Sequence, residues 1–306
     1  MATNMDNFAL IPADTLAPEQ LVVAFNRGFE GYLVPMVQTV ESLAAMIETN
    51  DVELRDSLVL TSPPDPLSHG ERGDLEMCGV ALLAVRGERG WVAGMGIAPE
   101  WRGRGVGEYL MRALVERARA RGLRTLHLEV LEANTAAYRL YERVGFRTTR
   151  QLLVYTGPLD TAKLARSATL QADISPIWVD EALEAFEQTH TVAPPWQREP
   201  DSLGNTGQRG QRLTGLALRQ QGAMQAYLLS MPARGGVALM DIGSRAPTSG
   251  ERLAQGMALL YHLLANAPET SVRAINVPPG DLLGEVLDTL CCPVVNHQRE
   301  MFLNLS

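Results

Sequence analysis

The sequence predicts a mixed α/β protein built from two copies of one arrangement. Three observations point there. The chain has 306 residues, longer than the ~100–200 residues over which one hydrophobic core usually extends. Stretches of period-2 alternation and of 3.6-residue periodicity follow one another, so strands and helices interleave. The order of elements in the first half then recurs in the second, and an internal repeat constrains a fold more than any single element does. Gly157-Pro158 reads as the boundary, giving domains over 1–158 and 159–306.

Within the first half, residues 18–29 set Leu21, Val22, Phe25 and Phe29 at helical spacing, with Gly31 as a stop. A second helix is predicted over 40–48 and a short strand over 57–60. The stretch 62–73 carries three prolines and two glycines, which excludes a regular element and reads as a mobile excursion. Apolar runs over 78–85 and 91–97 flank Arg86-Gly87-Glu88-Arg89-Gly90, the pattern of an antiparallel hairpin. A helix over 106–121 puts Val106, Leu110, Ala113 and Leu114 on one face and ends at Gly122. A strand over 125–130, a helix over 134–143 and a strand over 146–155 complete the half.

The second half offers a helix over 179–188, strands over 213–218, 226–231 and 237–242, and a helix over 251–264. A strand over 272–277, a helix over 282–290 and closing strands up to Leu305 follow. Laying 126–146 over 273–293 sets Val130 on Val277 and Leu140 on Leu287 without a gap. Each half is therefore expected to hold a largely antiparallel sheet flanked by helices.

Composition narrows the function. A formal net charge of −8 argues against broad nucleic-acid binding, which needs a clustered excess of Lys and Arg. No run approaches the ~20 apolar residues of a membrane span, and the start lacks the basic and apolar regions of a secretory signal, so a cytoplasmic protein is expected. Cys78, Cys291 and Cys292 give neither an even disulfide framework nor a metal-ligand spacing, and no metal is expected. Lys163 is the only lysine, a bias that a GC-rich genome explains.

The informative stretch is Arg102-Gly103-Arg104-Gly105-Val106-Gly107, directly after an apolar strand and before an amphipathic helix. A glycine turn that opens a helix offers unpaired N–H groups at the positive end of the helix dipole, a ready site for a diphosphate. Glycine lets that backbone approach the ligand closely. A tight structural turn would have the same sequence, and no Gly-Lys-Ser/Thr follows to make a nucleotide P-loop.

Downstream, Leu128-Glu129-Val130 ends a strand, and Asn134-Thr135-Ala136-Ala137-Tyr138-Arg139-Leu140-Tyr141 begins a short helix that Gly145-Phe146 closes. Together with Arg102, Gly105 and Gly107, this resembles the GNAT superfamily of acyl-CoA N-acyltransferases over residues 91–155. The resemblance implies two tandem GNAT-like domains, each with a splayed parallel strand pair. It also implies acetyl-CoA as acyl donor, held by Met95, Gly96, Ile97, Arg102, Gly103, Arg104, Gly105, Val106, Gly107, Asn134 and Ala137. Tyr141 matches the family's general acid, and an N–H near Ile97 would stabilise the developing oxyanion. For the base, Glu129 is the first candidate and Glu30 a rival, although a strand residue can equally face away as a solvated charge. Phe29, Glu30 and Tyr32 are expected to wall the acceptor site. His69, in the proline-rich stretch, is expected to be exposed and Tyr138 to be a packing residue.

The overlay puts Asp288 at Tyr141, Asn276 at Glu129 and Asp281 at Asn134, and 246–251 lacks the glycine turn. A carboxylate there would repel phosphate or thiolate, so the second half reads as a degenerate copy with a structural or substrate-shaping role. Tandem members such as mycothiol synthases have a similar layout but place the active copy second. The function expected is acetyl transfer to a primary amine, on a small molecule or a peptide N-terminus. A CoA-binding sensor without turnover is the alternative.

Overall fold

The computed structural model describes residues 5, 8–62, 76–166, 173–208, 213–266 and 270–306. His69 and nearly all of the proline-rich stretch fall outside them. Two compact units emerge: residues 1–149 with 300–306, and residues 150–299. The boundary read at Gly157-Pro158 thus falls inside the second unit.

The first unit runs β1 (Ala9–Pro12), α1 (Pro18–Gly28), α2 (Val40–Thr49), β2 (Leu58–Ser62), β3 (Glu76–Arg86), β4 (Arg89–Ile97), α3 (Val106–Ala120), β5 (Thr125–Leu131) and α4 (Thr135–Val144). Its sheet has the order β1-β2-β3-β4-β5. The β1–β2, β2–β3 and β3–β4 pairs are antiparallel, whereas β4 and β5 run parallel. Leu126, Leu128 and Val130 alternate onto the face where Val106, Leu110, Met111, Leu114, Tyr141 and Phe146 form the core. On the opposite face, a side chain at Gly94 would meet Phe25 and Phe29, so α1 covers that side.

β6 (Arg147–Gly157) carries the chain into the second unit, which continues α5 (Thr161–Arg166), β7 (Asp173–Ile177), α6 (Val179–Glu184), α7 (Phe186–Thr189) and α8 (Pro200–Gln208). Then come β8 (Thr214–Gln220), β9 (Ala223–Ala233), β10 (Gly236–Ser244), α9 (Ser249–Leu264), β11 (Ser271–Val277), α10 (Leu282–Thr289) and β12 (Val294–Asn304). The order here is β6-β11-β10-β9-β8-β7, with β10 and β11 parallel.

The expected strand over 146–155 exists, yet its C-terminal end, from Leu153 to Gly157, pairs with β11. The place beside β5 goes to β12, whose end supplies Met301 and Leu303, with Leu305 just beyond, to the first unit's core. Each of these terminal strands is apolar enough for either position, so local pattern does not choose between them. The helix expected over 179–188 is broken at Ala185 into α6 and α7.

A close main-chain approach in the first unit joins α1 to β4. A side-chain carbon on Gly96 would lie 2.6 Å from the Gly28 carbonyl carbon, and one on Gly28 would lie 3.0 Å from that of Gly96. Backbone on both sides cannot rotate away. Gly96→Ala is therefore expected to cost about 1–3 kcal/mol, measured as a lower midpoint in urea unfolding; an unchanged midpoint would contradict the packing described.

Candidate active site

The site begins where the parallel ladder stops. β4 and β5 pair only over Arg89–Trp91 and Thr125–His127, although both strands continue to Ile97 and Leu131. A register shift between Val92 and Gly94 accompanies the divergence and marks a bulge, which re-aims the strand. Beyond it the Ala98 N–H bonds back to the Cys78 carbonyl at 2.9 Å. Antiparallel alternation then turns the N–H and C=O of Ile97, and of Met95 two residues earlier, away from β3 and toward the gap. Gly96 faces β3 instead, so a main-chain contact from Gly96 to a ligand in the gap is disfavoured. Its lack of a side chain answers to Gly28.

At the end of β4 the chain turns into α3. Gly103 and Gly105 adopt φ of 72° and 84°, the left-handed region where glycine is unstrained. Gly105 is the N-cap of a 15-residue helix and no side chain caps it, leaving the first-turn amides for an outside acceptor. Nothing lies within 4 Å of where a Gly103 side chain would stand. These features fit a diphosphate. Val106 is buried in the core, and a side chain at Gly107 would run into Leu140 at 2.9 Å, so Gly107 serves packing of α3 on α4.

The two arginines of the turn are placed differently from one another. Arg102 directs Nε to the Ile97 carbonyl (2.7 Å) and Nη2 to the carbonyls of Glu30 (2.6 Å) and Gly28 (3.2 Å). Its guanidinium is spent on the backbone rather than held out for phosphate. Arg104 lies over the Trp101 ring, 5.4 Å from its centroid, and is exposed.

On α4, Asn134 is the N-cap, its side chain accepting from the Ala137 N–H at 3.2 Å. Tyr32 is drawn to the same place: burial pushes its phenol above the ordinary value, partly offset by a side-chain hydrogen bond with Asn134. Burial, and secondarily the neighbouring Tyr32, push Tyr141 higher still. Among the described residues none hydrogen-bonds the Tyr141 hydroxyl, which holds its proton at neutral pH. Phe29 stacks on Phe25 with ring centroids 4.5 Å apart and meets Tyr32 edge-on at 5.5 Å. The structure thus brings Tyr32, Asn134 and Tyr141 together.

Glu129 sits elsewhere. Its carboxylate accepts a 2.6 Å bond from the Trp91 indole, on the face that α1 covers and opposite to Tyr141. Glu30 is exposed, with its carboxylate 3.9 Å from Arg27, outside the Tyr32–Tyr141 group. Tyr138 is half-buried beside the core.

The second unit repeats the gap, its parallel ladder covering only Gly236–Ala238 and Ser271–Arg273. The helix that follows is closed: Thr248 accepts from the Glu251 N–H while the Glu251 carboxylate accepts from Thr248, a capping box that satisfies those amides. Asp281 N-caps α10 as Asn134 does α4, and Asp288 accepts a 2.8 Å bond from Tyr155.

Sequence reasoning missed one cluster in this unit. Asp241 accepts from Tyr227 (2.7 Å) and Arg198 (3.1 Å) and pairs with His190 (3.2 Å), while Arg198 also reaches Asp281 (3.3 Å). The four charged partners are each separated by eight or more positions in sequence, so no motif announces them. Burial disfavours the charged imidazole, but Asp241, by charge and hydrogen bond, and the Phe186 carbonyl outweigh it and raise the His190 pKa above 6.5.

Residues 43–146 match the acetyltransferase (GNAT) family model. An acetyltransferase of Pectobacterium atrosepticum is 32% identical over 99 residues, covering 32% of this chain and 70% of that one. A mycothiol acetyltransferase of Thermobispora bispora is 50% identical over 60 residues, but only 20% of each chain is covered. A tandem GNAT protein from the clavulanic acid biosynthesis pathway matches at a TM-score of 0.65 and 14% identity, over 98% of both chains; that likeness concerns fold alone. The class is that of acyl-CoA-dependent acetyltransferases with a tandem architecture. The chain belongs to the GNAT family.

The His190 pair supplies a pH test. A folded pKa raised above the unfolded one contributes stability that is complete below pH 6.5 and is lost as pH rises through the folded value. The melting temperature should therefore fall as pH rises above 6.5, and His190→Gln should flatten that slope. A slope equal in both proteins would remove the pair from the account.

Proposed function

We propose that the first unit transfers an acetyl group from acetyl-CoA to a primary amine of a small molecule or peptide, with Tyr141 as general acid. The observation that carries this reading is Tyr141 beside Tyr32 and Asn134: its side chain is buried, and its hydroxyl is protonated and has no hydrogen-bond partner among the described residues. A hydroxyl that no protein group engages is free to donate to a molecule in the gap. In this reading the amides of residues 103–107 hold the diphosphate, Arg104 lies at their edge, and the thioester lies in the gap beyond Trp91. Asn134 and Ala137 line the α4 end, and Phe29 and Tyr32 wall the acceptor side.

The chain's residues then divide the proton work by face. Glu129, oriented by the Trp91 indole, takes the amine's proton from the α1 side, directly or through water. The Ile97 N–H stabilises charge on the thioester oxygen as the N–C bond forms. As the C–S bond breaks, Tyr141 gives its proton to the departing sulfur from the α4 side. The second unit supports or shapes the acceptor site.

Free-thiol release from acetyl-CoA in the presence of an amine panel tests turnover. Tyr141→Phe keeps the ring but not the proton, so kcat should fall ~100- to 10,000-fold with acetyl-CoA affinity nearly unchanged; wild-type turnover would sink the assignment. Calorimetry should find one acetyl-CoA per chain, because α3 opens beside its gap on an uncapped glycine turn whereas the matching helix α9 is closed by Thr248 and Glu251, and Gly105→Glu should abolish it. Two equivalent sites would overturn that expectation.

A further inference from the structure

The acyl-donor turn and the acceptor wall are joined by two reciprocal contacts. Arg102, in the turn, gives three hydrogen bonds to main-chain oxygens: Ile97 at the end of β4, and Gly28 and Glu30 at the end of α1. In the other direction Arg27 of α1 bonds the carboxylate of Glu100, two residues before Arg102. A planar guanidinium suits several carbonyls at once, and the negative end of a helix dipole favours a cation. Beneath this pair the Gly28 and Gly96 backbones touch. After α1, residues 31–39 contain no helix or strand, so the clasp is what fixes where the wall carrying Tyr32 begins.

We infer that Arg102 is a positioning residue that clasps the acceptor wall to the acyl-donor turn and leaves the diphosphate to backbone amides. Its Ile97 bond also occupies the one gap-facing carbonyl of that peptide, keeping the neighbouring N–H aimed into the gap. Stiffening of the turn by bound acetyl-CoA then passes through Arg102 to residues 28–36, so donor binding prepares the acceptor site. The preparation of the acceptor site rests on the acetyl-transfer reading; the clasp itself does not.

Hydrogen exchange by mass spectrometry on the full chain, with calorimetry of acetyl-CoA, separates the possibilities. In the wild type, acetyl-CoA should slow exchange over residues 28–36. In Arg102→Gln and in Arg102→Lys, which keeps the charge but not the fork, unliganded exchange there should rise about tenfold, the scale of one lost charge-assisted bond. The protection conferred by acetyl-CoA should disappear, while its Kd stays within about threefold, since amides alone hold the diphosphate. Glu100→Gln, which leaves Arg102 in place, should loosen the same residues less. The inference fails if Arg102→Gln weakens acetyl-CoA more than tenfold, Arg102→Lys restores it, and exchange over 28–36 stays at the wild-type rate. It fails equally if Arg102→Lys and Glu100→Gln both leave that exchange unchanged, a comparison that stands even should Arg102→Gln not fold. Were the wild type to bind no acetyl-CoA, the transfer reading would fall and the unliganded comparison would still decide the clasp.

Discussion

The site depends on a parallel ladder that is only three residues long on each strand. Had β4 and β5 stayed paired to their ends, the N–H and C=O groups of Met95 and Ile97 would have been consumed within the sheet. Their separation after Trp91 and His127 leaves a polar main-chain edge inside the protein, which is costly unless something completes it. The bulge after Val92 re-aims the strand, Arg102 takes the Ile97 carbonyl, and a ligand amide or carbonyl can take what is left. Trp91 closes the narrow end, and its indole reaches across to Glu129 on the diverging strand.

The second unit makes clear that the gap belongs to the fold and the chemistry to its lining. Its ladder is equally short, yet the groups that match the glycine turn, Asn134 and Tyr141 are engaged from within. Thr248 and Glu251 close the α9 amides, Asp281 is shared between a helix cap and Arg198, and Tyr155 donates to Asp288. In the first unit the matching positions are a bare Gly105, an Asn134 that also engages Tyr32, and a Tyr141 hydroxyl with no partner among the described residues. One copy has spent its hydrogen-bonding capacity on itself; the other has kept it.

Much of this was legible in the sequence because it is local. Helix α1, the hairpin of β3 and β4, the glycine turn and α4 each follow from spacing within a few residues. What was missed is non-local or marked against detection. Strands β1 and β7 carry Pro12 and Pro176 and lie at the outer edge of their sheets, the one position where proline costs no ladder bond. The placement of β12 beside β5 and β6 beside β11 depends on partners more than a hundred residues apart. The role of Arg102 is hidden for the same reason, since its carbonyl acceptors on Gly28 and Glu30 leave no trace in residue type.

In the proposed reaction the gap also separates groups that would interfere if they shared a face. A carboxylate close to Tyr141 would compete for its proton and would repel a thiolate leaving beside it. Alternation along β5 prevents this: Leu128 and Val130 point into the core with Tyr141, and Glu129 between them points to the α1 side. The Trp91 indole holds the Glu129 carboxylate on that side, while burial favours the neutral form of Tyr141. The two side chains are thus kept on opposite faces by a single strand's pleat. In the second unit the overlay places Asn276 and Asp288 at these positions, and Asp288 is engaged by Tyr155, so the same pleat remains with no acid and base to keep apart.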